Sequence, residues 1–429
     1  MDLSMDNEQA AAVSLQGRER LPDRFTAKAL ASDLAVVFFQ FLSVVALFLS
    51  SAFSGQGSLS NLFEVGNVDL RNTYVAGYMV RTGHGHEIYD AGAQNMFQNE
   101  LVSRADLPIP FIRPAYQALF YVPLSLLPFR TAYFTFLAFN LALLLFCMQL
   151  LRPYMSNLAR VDFRLPSLMF VFFPITVTLL QGQDSIILLA LLAGALICIQ
   201  RNREYMAGVL VALGLFKFQF VIPIFLLFLA WRRWRFSAAF VCTSAALAGI
   251  SIWILGMTQS IRYLHILIGI GSSLGFSAAS SPGFSAGAPL AMNLMANLHG
   301  ALYTILKGSS SVLPLTVAAS AATLILVASR RPRGIDALLI AIPASALVSY
   351  YMYIHDVSIL VVPVAVMLDR LVGAAKEGRP FGRLQTVTTM LMFQAPTLLI
   401  LALGQFWVVS LPLLAFTFAI AWRPPAATA

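Results

Sequence analysis

Four polar patches interrupt an otherwise apolar sequence, and each contains side chains that can accept a proton or bind an anion. In chain order these are 66–90, which includes Asp69, Arg71 and Tyr74; Gln181-Gly182-Gln183-Asp184; Lys217-Phe218-Gln219; and 350–356, which ends in His355-Asp356. A carboxylate or an imidazole can act as a general base, and Lys or Arg can bind phosphate. Because ionisable residues at or within membrane segments are functional candidates by default, the four patches supply the candidate site.

The composition predicts a membrane protein. Apolar residues make up 59% of the chain and charged residues only 11%, whereas a soluble domain carries about 25% charged residues. The net charge is +9, but Lys and Arg lie in short clusters between apolar runs, which is typical of orientation signals. We therefore expect membrane lipids as partners and no nucleic acid. The three cysteines, Cys147, Cys198 and Cys242, fall inside apolar runs, so their positions predict neither disulfides nor a metal site.

Apolar runs of suitable length predict an all-α integral membrane protein with about a dozen membrane segments. The runs are Leu34–Phe53, Thr131–Leu151, Leu165–Leu180, Ser185–Gln200, Phe236–Gly256, Val312–Ser329, Ala337–Tyr353, Val357–Leu371, Thr386–Ala402 and Gln405–Trp422. Between Tyr205 and Trp231, two shorter apolar pieces are broken at Lys217-Phe218-Gln219. Such a break predicts two half-helices, which are tolerated where the break lines a cavity or is buried in protein.

The basic clusters predict the sidedness of the loops. With a cytoplasmic N-terminus, every short Lys/Arg cluster falls on the inner side, and both termini lie there. The chain then divides into a cytoplasmic tail (1–33), a membrane core (34–256) with a large outer loop (54–130), a second outer loop (257–311) and C-terminal transmembrane helices (312–429). We expect a multi-pass protein of the plasma (inner) membrane.

This sidedness places all four polar patches on the outer face. The inner loops contain neither GxxxxGK[ST] nor a GxGxxG that follows a strand, the motifs of nucleotide sites. ATP and nucleotide sugars are not available outside the membrane. An enzyme with its site there needs a donor that the membrane itself carries.

From about Asp69 to about Asp369, the sequence resembles the bacterial polyprenyl-phosphate-dependent glycosyltransferases of family 87. The matching pieces are Asp69-x-x-x-x-Tyr74, Ile88-Tyr89-Asp90, the run from Arg113-Pro114 to Pro128, Gly182-Gln183-Asp184, Ala207-Gly208 leading to Lys217, and His355-Asp356. The chain departs from the family pattern at Arg113-Pro114, where Pro-Pro is common, at Lys217-Phe218, where Lys-Pro is common, and at His355, where Tyr is frequent.

The resemblance implies a GT-C type membrane bundle and a hexosyltransferase, with mannose as one candidate sugar. The donor would be a polyprenyl-phosphate-linked sugar, and the acceptor a glycolipid, glycan or protein outside the cytoplasm. The resemblance also implies that Asp69 is the general base. One carboxylate suffices for this reaction, because a lipid phosphate leaves as an anion and needs no general acid, unlike the leaving group of a glycoside hydrolase. A single displacement predicts inversion.

The remaining polar residues have substrate roles in this reading. A phosphate leaving group requires cationic donors, for which the outer face offers Lys217, Arg71 and Arg113. The expected substrate-binding residues are His355, Asp356, Gln183, Asp184 and Tyr74. Each Asp also has an alternative role as a helix N-cap: Asp69 before Leu70, Asp184 before Ser185, and Asp356 before Val357.

Two alternatives concern other functions. His84-Gly85-His86 with Glu87 and Asp90 contains imidazole and carboxylate groups that could bind a divalent metal, but a glycine-rich turn with solvated histidines is favoured. No metal and no cofactor is therefore predicted. A transporter or lipid flippase would also contain broken helices and charges within the membrane. We find no self-similarity between the two halves, and the long polar outer loop favours the enzyme.

Overall fold

The structure, a computed structural model, describes residues 27–53, 68–102, 109–271 and 294–422. Within these ranges the regular structure is helical, without strands. By length and composition alone, five helical stretches could cross a membrane: Ala27–Phe48, Phe129–Val161, Glu204–Ala230, Trp234–Leu255 and Ile354–Lys376. This confirms the all-α membrane class, although the count of about a dozen segments stays a prediction.

The helices follow the apolar runs of the sequence. In chain order they are α1 (Ala27–Phe53), α2 (Leu70–Arg81), α3 (Ala91–Leu101), α4 (Tyr116–Tyr121), α5 (Phe129–Leu151), α6 (Ser156–Val161), α7 (Leu165–Leu168), α8 (Phe173–Gln181), α9 (Ser185–Gln200), α10 (Glu204–Leu213), α11 (Phe218–Ala230), α12 (Trp234–Leu255), α13 (Met257–Gly271), α14 (Leu298–Ile305), α15 (Val312–Ala328), α16 (Asp336–Val348), α17 (Val361–Lys376), α18 (Arg383–Leu403) and α19 (Ser410–Ala421). Short 3₁₀ turns at Gly214–Lys217 and Ile354–Leu360 precede α11 and α17.

The first helix includes polar residues that the hydropathy pattern places outside the membrane. The predicted run begins at Leu34, whereas α1 already includes Ala27. Asp33 is fully buried in α1 and pairs with Arg152 at 2.5 Å. Because the ion pair neutralises both groups, an acidic residue is accommodated inside the helix. Most of the predicted cytoplasmic tail, residues 1–26, lies outside the described residues.

The predicted span Leu165–Leu180 is two helices, α7 and α8, separated by 169–172. A proline at the start of α8, Pro174, favours a helix beginning there. The break frees backbone groups within the bundle, and a polar side chain of α1 binds one of them: Gln40 donates to the carbonyl of Phe170 at 2.7 Å. Thr176 in turn donates to Gln40 at 2.6 Å. The irregular backbone is thus buried against protein.

The stretch Glu204–Ala230 is a helical hairpin. As one straight helix its 27 residues would extend about 40 Å. Arg233, just beyond its end, instead forms an ion pair with Glu204 at its beginning. The chain therefore reverses at the 3₁₀ turn that ends in Lys217, so α10 and α11 are the two half-helices and Lys217 lies at their tip.

The basic turns lie together at the opposite end of the bundle from Lys217. Arg233 donates to the carbonyl of Pro332 at 3.2 Å, Arg370 pairs with Asp336 at 2.6 Å, and the Arg330 guanidinium lies 3.9 Å from the ring centre of Trp422. Helix α9 begins beside the polar patch at Gln183-Asp184 and ends at this basic end. The 3₁₀ turn and α17 likewise begin at His355-Asp356 and end there. The end of the bundle with the basic turns and the end with Lys217 therefore differ in charge, as expected if they face opposite sides of a membrane.

Candidate functional site

Side chains from three of the four polar patches meet at Gln183, which is 5% exposed. Its amide nitrogen donates to the carboxylate of Asp69. Its amide oxygen accepts from Arg113 at 3.0 Å and from Lys217 at 3.4 Å. One neutral side chain thus joins the carboxylate that precedes α2 to two cations from different parts of the chain.

A glycine at the end of α8 makes this convergence possible. Gly182 has φ +60°, a left-handed conformation that L side chains rarely adopt. A Cβ at this position would lie 2.9 Å from the Cβ of Leu70, the first residue of α2. The glycine therefore provides both the turn and the close approach that place Gln183 beside Asp69.

Lys217 is enclosed by two buried carboxylates. It pairs with Asp356 and lies 3.3 Å from Asp184, and both aspartate side chains have no exposed surface. Ser185 donates a further hydrogen bond to Asp356 at 3.0 Å. A lysine that is 3% exposed needs such partners, because an unpaired buried charge is costly. The hairpin tip is thereby fixed against α9 and the 3₁₀ turn before α17.

Asp184 binds a second cation. It pairs with Arg113, and it accepts a 2.5 Å hydrogen bond from Gln117 on α4. Although Asp184 occupies the N-cap position of α9, its side chain makes no capping hydrogen bond. The alternative reading of Asp184 as a helix cap therefore has no support in the structure.

Polar contacts between α3 and the segment that follows it position Arg113. The extended segment before it, 109–111, pairs with two glutamines of α3: Phe111 donates its backbone N–H to Gln94 at 2.7 Å, and Gln98 donates to the carbonyl of Ile109 at 2.8 Å. Tyr89 donates to the carbonyl of Arg113 itself at 2.6 Å. These contacts direct the Arg113 guanidinium toward Asp184 and Gln183.

Asp69 differs from the other two aspartates of the cluster. It is half-buried and stands before α2 without a capping side-chain hydrogen bond, so the N-cap reading again has no support. Its only side-chain hydrogen bond to the described residues comes from the neutral amide of Gln183, whereas Asp184 and Asp356 are ion-paired. Among these three carboxylates, Asp69 is thus the one that is half-buried and not ion-paired within the described residues.

His355 lies at the edge of the cluster. Its backbone carbonyl accepts from Thr178 of α8 at 2.8 Å, and its Nε2 is 3.5 Å from the carboxylate of Asp356. Its ring faces that of Tyr353 at 6.0 Å. The position is compatible with a hydrogen bond to a ligand beside Lys217.

Two predicted site residues make their contacts elsewhere. Arg71 is buried and donates to Asn99 at 3.3 Å, a residue of α3. The hydroxyl of Tyr74 donates to the carbonyl of Leu127 at 2.7 Å, and its ring packs edge-on against Phe129. Both side chains therefore hold α2 in place, and neither joins the contacts around Gln183.

Sequence reasoning assigned no individual role to four polar residues that lie at the cluster: Gln117, Ser185, Gln219 and Tyr351. Gln117 binds Asp184 and Ser185 binds Asp356. Tyr351 lies beside Gln219 and close to Arg113. The one available signal was position: Gln117 follows Arg113 by about one helical turn, Ser185 follows Asp184, and Gln219 and Tyr351 are each within five residues of a predicted site residue.

The histidine-containing turn has protein partners of its own. His84 lies 3.0 Å from the carboxylate of Glu87, and Asp90 caps α3 by accepting from the backbone of Ala93 at 2.9 Å. Across the described ranges, no group of three or more His, Cys, Asp and Glu residues is arranged to hold a metal ion. The side chains of His84 and His86 are 43% and 62% exposed.

The family model described as glycosyltransferase family 87 matches residues 111–352, more than half of the chain. The match includes Arg113, Gln183, Asp184 and Lys217, whereas Asp69 and His355 lie outside it. No curated protein and no solved structure gives a significant match.

Proposed function

Because the chain belongs to glycosyltransferase family 87, we propose that it transfers a hexose from a polyprenyl-phosphate donor to an acceptor on the outer face of the plasma membrane. The acceptor is a glycolipid, a glycan or a protein, and mannose is the first sugar to test. The reaction inverts the anomeric configuration. The observation that carries this proposal is the contact of Gln183 with Asp69, Arg113 and Lys217, since it places one carboxylate and two cations within reach of a single sugar-phosphate group.

In this proposal Asp69 is the general base. The acceptor hydroxyl attacks the anomeric carbon and gives its proton to Asp69, while the bond from that carbon to the phosphate oxygen breaks. The electron pair of the broken bond stays on the polyprenyl phosphate, so no acid is needed at the leaving group. A positioned base supplies roughly 10²–10⁴-fold in rate, and the half-buried position of Asp69 gives an acceptor access to it.

Arg113 and Lys217 are the proposed phosphate-binding cations. Arg113 is the more accessible, with 13% of its side chain exposed, and its planar fork suits two phosphate oxygens. Lys217 already has Asp184, Asp356 and Gln183 as partners, of which the 3.4 Å contact to Gln183 is the longest. A phosphate oxygen would replace that contact, and the lysine charge acts strongly in a site that excludes water.

The other predicted residues have positioning roles, except His355. Asp184 and Asp356 hold the two cations, whereas Tyr74 and Arg71 fix α2, on which Asp69 stands. We therefore remove Arg71 from the proposed phosphate site. His355 stays as a hydrogen-bond donor to the donor phosphate or the acceptor sugar.

The distribution of charge supports an outer-face site. The basic turns lie at the end of the bundle away from the Gln183 cluster, and positive loops face the cytoplasm. Both described chain ends, Ala27 and Trp422, are on the basic side, since Arg152 lies beside α1 and Arg330 beside Trp422. The donor would then enter from the outer leaflet. The transporter alternative loses its support, because family 87 is a family of glycosyltransferases.

A donor panel tests the proposal. The purified protein in lipid nanodiscs is given polyprenyl-phosphate hexoses, nucleotide hexoses and candidate acceptors, and the glycosylated product and its anomeric configuration are determined by mass spectrometry and NMR. We expect product and free polyprenyl phosphate from a lipid-linked donor only, with inverted configuration. Transfer from a nucleotide sugar, or retention, would contradict the proposed donor or mechanism.

A further inference from the structure

Gln219 is a buried amide whose hydrogen-bonding groups are not fully satisfied. It stands two residues after Lys217, in the first turn of α11, and is 5% exposed. Apart from the phenol of Tyr351 beside it, the amide oxygen and the amide nitrogen have no hydrogen-bond partner in the described part of the chain. A buried polar group without its full hydrogen bonding is costly, so a ligand that binds at the hairpin tip would recover that free energy.

Tyr351 places a second polar group at the same position. Its phenol lies beside the Gln219 amide and close to both Arg113 and Asp356, and its side chain is half-buried. Burial raises the pKa of Tyr351, so the phenol stays neutral at physiological pH. A neutral phenol can both donate and accept a hydrogen bond.

An aromatic ring borders this position. Tyr263 of α13 stacks on Tyr89 with 4.6 Å between ring centres and 12° between planes. Its phenol is close to Tyr351 and Arg113, and it is only partly buried. Recognition sites for small molecules combine such aromatic faces with a few placed polar groups.

The chemistry of these groups distinguishes a sugar from a phosphate. A phosphodiester offers only acceptors, so it could satisfy the amide N–H groups of Gln219 but not its carbonyl oxygen. A sugar hydroxyl both donates and accepts, and two neighbouring hydroxyls can satisfy both ends of one amide. In a polyprenyl-phosphate sugar the ring is joined directly to the phosphate, so the ring must lie next to the residues that bind that phosphate.

We propose that Gln219, Tyr351 and Tyr263 form the subsite for the hexose ring of the donor, with Gln219 binding two of its hydroxyls and Tyr263 packing against one face. This inference rests on the proposed function for the identity of the ligand. It separates a sugar subsite at Gln219 from a phosphate subsite at Arg113.

Two probes test this separation by equilibrium binding to the protein in nanodiscs. One is a short-chain isoprenyl phosphate without a sugar, and the other is the same isoprenyl alcohol linked to each of several hexoses without a phosphate. Gln219→Met should weaken the preferred hexoside about tenfold and leave the isoprenyl phosphate unchanged. Arg113→Gln should do the reverse. Tyr351→Phe should weaken the hexoside as well.

Gln385→Met is the matched control, because Gln385 is also a buried glutamine but donates to the carbonyl of Ala419 on α19. It should change binding of neither probe. The subsite is overturned if Gln219→Met weakens binding of both probes equally or weakens binding of neither. It is also overturned if the wild-type protein does not bind the hexoside. Because binding does not require turnover, hexoside binding without sugar transfer would contradict the proposed function and leave the subsite standing.

Discussion

Lys217 is bound by more negative charge than one lysine can neutralise. Asp184 and Asp356 both contact it, and Arg113 supplies the second positive charge. Two cations thus balance two fully buried carboxylates, and Asp69 adds a third carboxylate that is joined to them only through Gln183. This arrangement supports the proposal that Asp69, rather than either neighbour, is the general base.

We predict that Lys217→Met destabilises the protein by about 3–5 kcal/mol, because it leaves Asp356 buried and without its cation. The double variant Lys217→Met/Asp356→Asn should regain most of that stability while its turnover stays low. Thermal unfolding in detergent and transfer rates give the two readouts. A single variant as stable as the wild-type protein would show that the lysine does not hold the hairpin tip.

Residue types predicted part of the cluster around Gln183. Asp69, Gln183 and Lys217 were found because polar residues are rare in an apolar sequence and because their order resembles a family. Arg71 and Tyr74 were assigned to substrates as well, but their side chains bind Asn99 and Leu127. Proximity to Asp69 in sequence could not show in which direction each side chain of α2 points.

The positions at which helices begin, end and break determine how the polar residues are arranged. The apolar runs predicted most helices, and the interruption at Lys217 predicted the hairpin. The burial of Asp33 inside α1 and the break at 169–172 were not predicted, since each depends on a tertiary partner, Arg152 or Gln40. A hydropathy pattern contains no information about such partners.

We predict that Gly182→Ala lowers both stability and turnover. A left-handed alanine costs about 1–2 kcal/mol, and its Cβ would press on Leu70 at 2.9 Å and move Gln183 away from Asp69. Gly249→Ala on α12 is the matched control, since a Cβ there meets nothing within 4 Å. If both variants retain wild-type turnover, the close approach at Gly182 is not required.

Sidedness is a property of the whole molecule. We predict that, in a cysteine-free background in intact cells, an impermeant maleimide labels Ser309→Cys, in the exposed turn before α15, but not Arg331→Cys, in the exposed basic turn after it. The helix between them separates the two membrane faces if basic turns are cytoplasmic. Labelling of Arg331→Cys alone would reverse the topology and remove the argument for a lipid-linked donor.

Convergence of the polar patches is what the sequence alone could not establish. Asp69 and Gln183 are 114 residues apart, and Ser185 and Asp356 are 171 apart. Composition and basic clusters predicted the membrane class and placed the patches on one common membrane face. Residues on one face need not lie close enough together to form one site. The convergence depends on the turn at Gly182 and on the reversal at Lys217, which only the folded chain brings together.

The role of Asp69 as general base is the central claim, and the turnover of Asp69→Asn tests it most directly. The amide matches the carboxylate in size but cannot take a proton, so kcat should fall roughly 10²–10⁴-fold, with donor binding and thermal stability unchanged. Asp90→Asn is the matched control, because Asp90 caps α3 and asparagine caps equally well; it should keep wild-type kcat. A well-folded Asp69→Asn protein with near-normal kcat would contradict the account.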